Sequence, residues 1–169
     1  MDYLIPEELP FEFLKSINIL NVERVPIEIG ENSSKLDCYN NVKNYVKLFG
    51  GEIKFGWSFS QLGNIALKLN AHAVVELPDG SLKCVTPSEH DIVEINFSVD
   101  NSIASLIVNN RLPNRVFAMV ADKVVEAFVK LENLDSKMRL EGNQFARAYI
   151  ADQKYQLSND LIKAFNIYQ

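Results

Sequence analysis

The sequence predicts an α+β fold, and three observations predict it. Apolar residues alternate with polar ones in the middle of the chain, around 52–59, 71–76 and 92–99, as they do in half-buried strands. From Arg115 onward they recur at three- and four-residue spacing through Val116, Met119, Val120, Val124, Phe128 and Leu131, as on one face of a helix. A separate helical pattern, Val42, Tyr45, Val46 and Phe49, is headed by Cys38 and stopped by Gly50-Gly51. Strands and helices are segregated along the chain, which points to a cysteine-bearing helix packed on an antiparallel sheet, with a helical C-terminal part. At 169 residues and 19.2 kDa the chain fits one domain, 1–169, with a mixed core over 1–113 and a helical part over 114–169.

The elements follow in order. Pro6 and Pro10 make an irregular start that leads into a short helix or extended segment at Phe11-Glu12-Phe13-Leu14-Lys15. Ile17–Leu20 and Val22–Ile29 are β-branched and interrupted by Pro26, the pattern of one or two edge strands. Asp37 stands where a cap for the Cys38 helix belongs. Ile53, Phe55, Trp57 and Phe59 share one face of the next strand, and 61–70 reads as a helical turn or a loop. His72 opens the run His-Ala-Val-Val-Glu-Leu, which enters a hairpin at Pro78-Asp79-Gly80. A three-residue loop with Gly80 left-handed sets Leu77 opposite Ser81 and Val74 opposite Cys84, on the same face as His72. A two-residue Asp79-Gly80 turn sends Cys84 to the other face. Ile92–Val99 is a further strand, and 145–157 and 160–167 read as two helices divided by a cap at Ser158 or Asn159.

Composition narrows the function. The net charge is −5 and no run of Lys or Arg exceeds two, so nucleic acid is not an expected partner. The acidic first residues and the lack of a long apolar run argue against a secretory leader and a membrane span, and predict a cytoplasmic protein without a membrane partner. Two cysteines, Cys38 and Cys84, imply no disulfide framework.

The chemistry concentrates between Asp37 and Pro87. A helix N-terminus carries unpaired N–H groups and partial positive charge, which favour a thiolate at Cys38. His72 is the matching base, and backbone N–H groups near Cys38 and Tyr39, with Asn40 or Asn41, are the donors for an oxyanion. The competing reading makes Cys38 a small buried apolar residue and His72 a hydrogen-bonded strand residue. Trp57 is a candidate for lining a substrate cleft, against a place in the core. A zinc set of Cys38, His72, Cys84 and His90 has allowed ligand types, but only Cys84 and His90 are close in sequence. No cofactor is expected.

The order of Cys at a helix start, Gly-Gly, Gly-Trp, and His-Ala-Val-Val-Glu-Leu-x-Asp-Gly-x-Leu-x-x-Val-Thr-Pro resembles the core of transglutaminase-like and papain-like cysteine hydrolases. The resemblance covers residues 37–87. It implies a Cys-His-Asp arrangement that acts on amides, through hydrolysis, deamidation or acyl transfer, on a protein or small amide substrate. Cys84 falls where the resemblance calls for the acid that orients the histidine. Glu76 and Asp91 are the candidate substitutes, and the alternatives are a Cys38-His72 dyad or a catalytically degenerate member that binds a protein partner.

Overall fold

A computed structural model describes residues 1–169. Its strands are β1 (Glu23–Pro26), β2 (Glu52–Leu62), β3 (Ala66–Glu76), β4 (Leu82–Lys83), β5 (Glu94–Val99) and β6 (Asn114–Ala118). Its helices are α1 (Phe11–Ser16), α2 (Cys38–Phe49), α3 (Lys123–Glu141) and α4 (Gln144–Ile167), with a 3₁₀ turn at Asn101–Leu106. The strands pair in the order β1-β5-β2-β3-β4, and β6 also pairs with β3. The fold is therefore α+β with an antiparallel sheet and a helical C-terminal part. No helix is long and apolar enough to cross a membrane.

The chain divides into two compact units. One comprises Ile17–Ser58 and Ala71–Leu112 and carries every candidate site residue. In it the hairpin between β3 and β4 takes the three-residue form: Leu77 N–H donates to Ser81 O at 2.9 Å, and Gly80 has φ of 84°. The register pairs Val75 with Lys83 and Glu76 with Leu82, so Cys84 comes opposite Val74, on the face of His72. After Lys83 the chain turns to the first strand. Cys84 N–H donates to Pro26 O at 2.9 Å, and Cys84 O accepts from Glu28 N–H at 2.8 Å. This parallel bridge joins the end of the sheet order back to β1 and closes β1, β5, β2, β3 and β4 into a ring. Val25, Val74, Cys84 and Phe97 pack as a buried cluster in this unit, with Ile27, Leu82 and Ile95 against them.

Gly56 is fixed by that cluster. A Cβ there would overlap the Ser98 carbonyl oxygen and the Phe97 ring, so only glycine leaves room for Phe97 against β2. Trp57, on the opposite face, is 3% exposed and gives its indole N–H to Asp100 Oδ2 at 2.9 Å. It is a core residue with a satisfied polar edge rather than the wall of a cleft.

The other unit comprises Met1–Ser16, Phe59–Asn70 and Pro113–Gln169. Three expectations are corrected in it. Residues 61–70 form no helical turn: β2 continues to Leu62, and Gly63, at φ of 49°, begins a tight turn into β3. The helical pattern read from Arg115 begins as strand β6, because the backbone of Asn114–Ala118 pairs with Asn70–Ala66. The helix starts only at Lys123, where the Asp122 carboxylate accepts the N–H groups of Val124 and Val125 at 2.8 and 3.1 Å. The two helices expected after residue 145 are one, α4. Ile150, Leu161 and Ala164 are buried along its length, and their packing outweighs the weak preference of Ser158 and Asn159 for a cap. Leu62, Ile65, Val116, Val125, Phe128 and Leu161 are part of the core of this unit.

Candidate active site

Cys38 is the first residue of α2, and the groups around its sulfur explain one another. Asp37 occupies the cap position but caps nothing; its carboxylate accepts the Asn40 amide at 2.8 Å. The backbone N–H groups of Cys38 and Tyr39, and that of Ala73 in β3, favour the charged form of the Cys38 sulfur. Ala73 has that N–H to give because β4 ends at Lys83. Continued, the ladder would pair Ala73 with Val85, but Val85 O accepts from Gly30 N–H at 3.1 Å on the β1 side. Tyr39 meets Phe55 at a tilt with ring centroids 5.5 Å apart, which holds the head of α2 on the sheet.

His72 stands one residue before Ala73 in β3. Its Nε2 lies 3.1 Å from the Cys84 sulfur, and Phe97 meets the ring edge-on at 6.5 Å between centroids. Cys84 is 1% exposed and is also 3.6 Å from the Thr86 carbonyl oxygen. The imidazole bond is made at Nε2, which leaves Nδ1 for a second partner.

Burial sets the electrostatics. It pulls the His72 pKa down to about 4 and pushes the Cys84 thiol up to about 11, with the nearby Cys38 charge adding to the second effect. Burial also raises Cys38 above its ordinary value; the three N–H groups oppose this and do not cancel it. The expectation of a thiolate favoured by the helix terminus is thereby corrected: desolvation outweighs the partial charge of the helix. Both shifts favour the uncharged forms, so Cys38 rests as a thiol and His72 as a neutral imidazole.

The other predicted residues fall as follows. Glu76 shares the face of His72 but stands about 13 Å along the strand, where its carboxylate is held by Lys54 at 2.7 Å. Asn41 is buried with its amide fully used: it donates to Ser34 O at 2.7 Å and Thr86 Oγ1 at 3.0 Å and accepts Ser34 N–H at 3.0 Å. Asn40 is likewise engaged, donating to Asp37 and accepting from Asn110 at 2.9 Å. His90 and Asp91 lie in an exposed loop. No group of three His, Cys, Asp or Glu side chains is arranged to hold a metal ion. Sequence reasoning missed the parts played by Ala73, Thr86 and Phe97, which depend on where β4 leaves β3. The Gly-Trp pair was the visible trace of Phe97.

The chain matches no protein-family model, and no curated protein or solved structure is detectably similar to it. The hydrolase resemblance rests on the residues quoted for it.

Stability carries a signature of the half-buried, desolvated imidazole. The unfolded chain protonates His72 near pH 6.5 and the folded one near pH 4, so its contribution is whole above pH 6.5 and is lost as pH falls toward 4. In urea unfolding, the stability difference between wild type and His72→Gln is expected to shift against wild type by about 2 kcal/mol between pH 7 and pH 4.5. An unchanged difference would mean that the ring is not held neutral by burial.

Proposed function

We propose that this chain carries a thiol hydrolase site for an amide or peptide carbonyl, with Cys38 as nucleophile and His72 as base. The observation that carries the reading is the set of backbone N–H groups, of Cys38, Tyr39 and Ala73, that favour charge on the Cys38 sulfur; Ala73 follows His72 in β3, and His72 Nε2 is held by Cys84. The Cys38 proton passes to His72 Nδ1 as the sulfur bonds to the carbonyl carbon. The imidazolium then returns that proton to the leaving amine as the C–N bond breaks, and water resolves the thioester. Because the resting pair is neutral, proton transfer waits for a bound substrate, and turnover is slow.

A second reading has one observation in its favour. Cys84 stands where an acid would hold the imidazolium, and a thiol carries no charge to do so. On that reading the scaffold binds a protein partner and does not cleave it.

Acyl transfer from p-nitrophenyl esters separates the two. Peptide mass mapping is expected to find the acyl group on Cys38, at a rate that falls about 100-fold in His72→Ala, as loss of a general base requires. Equal rates in the two proteins would remove the hydrolase reading and leave the binding one.

A further inference from the structure

We infer that Cys84 sets the tautomer of His72 through a hydrogen-bonded chain that ends on α2, with Thr86 and Asn41 as its anchor. This inference rests on the proposed role of His72 as a base.

The chain follows from counting protons. Cys84 has one S–H and two polar neighbours, the Thr86 carbonyl oxygen at 3.6 Å and His72 Nε2 at 3.1 Å. A carbonyl oxygen only accepts, whereas the Nε2 of a neutral imidazole either donates or accepts. If the S–H goes to Nε2, the approach of sulfur to the Thr86 oxygen is left without a hydrogen. If it goes to Thr86, Nε2–H donates to the sulfur and both contacts are made. The second arrangement satisfies every group once, and in a buried site an unmade bond costs more than a made one gains. It fixes the proton on Nε2 and leaves the lone pair on Nδ1, the nitrogen that must take the Cys38 proton.

Position comes from the far end of the chain. Thr86 is 5% exposed, and its hydroxyl accepts the Asn41 amide at 3.0 Å, one turn along α2 from Cys38. Asn41 is itself locked to Ser34 by two bonds. The backbone N–H of Cys84 donates to Pro26 O and its carbonyl accepts from Glu28 N–H, which ties it to the segment that carries β1. The same helix therefore holds the nucleophile directly and the base through Asn41, Thr86 and Cys84. These three are positioning residues, not catalytic ones.

Nitrogen NMR of histidine-labelled protein at pH 7 reads the tautomer. The chain has two histidines, and His90→Gln assigns the remaining signals to His72. Wild type is expected to show one His72 tautomer, protonated at Nε2. Cys84→Ser, which keeps one donor and one acceptor, is expected to retain it. Cys84→Ala is expected to give a mixture like that of free histidine. Thr86→Val keeps the carbonyl but loses the Asn41 tether, and is expected to fall between these; it keeps the test alive if Cys84→Ala does not fold. Protonation at Nδ1 in wild type, or a free-histidine mixture there, overturns the inference. The tautomer is read without substrate, so failure of acyl transfer and failure of this chain are separate results.

Discussion

Cys84→Asp is expected to shift the resting pair toward its charged form. A carboxylate in contact with an imidazole favours the imidazolium by about one to three pKa units, and the imidazolium in turn favours the Cys38 thiolate. Iodoacetamide alkylation of Cys38 at pH 7 is expected to rise at least about tenfold. Cys84→Asn, equal in size and uncharged, is expected to leave it unchanged. The gain has a cost in stability, because position 84 is 1% exposed. An unpaired carboxylate there costs about 3 kcal/mol or more, and the pairing imidazolium exists only below its raised pKa. The variant is therefore expected to lose most stability at pH 9 and to recover part of it at pH 6, read by urea unfolding at both values. Equal alkylation in the Asp and Asn variants would mean that the side chain at 84 does not act on the pair through His72.

Phe97→Ala is expected to cost about 3 to 5 kcal/mol, as for a fully buried aromatic ring. The ring is packed between the space left by Gly56 and the edge of His72, so its loss unseats the histidine as well as the cluster around Val25 and Val74. Gly56→Ala alone is expected to cost about 1 to 3 kcal/mol, since the added methyl collides with that ring. In the double variant the collision with Phe97 is gone and only the one with Ser98 O remains. The double loss is expected to fall short of the sum of the singles by about 1 kcal/mol or more in denaturant unfolding. Additive losses would mean that Gly56 is not there to admit Phe97.

The α+β class was legible in the sequence because periodicity and segregation of elements are local signals. So was the hairpin register. Pro78-Asp79-Gly80 supports a three-residue loop, and Gly80 alone supplies the left-handed residue it needs. With that register, the approach of His72 to Cys84 follows from counting alternate residues. Strand β6 was not legible, because its pairing with β3 is a property of the fold and its residues suit either structure. The unbroken α4 was hidden for a related reason: Ser158 and Asn159 look like a cap, and only packing shows that they are not one. At the site, the sequence placed a thiol at a helix head and did not show how far the fold takes it out of water. Burial there decides the sign of the Cys38 shift, and burial is not written in the neighbours along the chain. The same holds for Asn41, whose amide looked available until Ser34 and Thr86 were seen to use all of it.

The pH profile of Cys38 alkylation by iodoacetamide, in wild type and in His72→Ala, is the most direct test of the neutral, histidine-assisted pair. The account predicts a single inflection in wild type, above the ordinary thiol value, with no reactive plateau between about pH 5 and 8. It predicts nearly the same inflection in His72→Ala, because the imidazole at rest holds no proton to share. A plateau at neutral pH that disappears with His72 would contradict it, and would show a thiolate-imidazolium pair already charged before any substrate arrives.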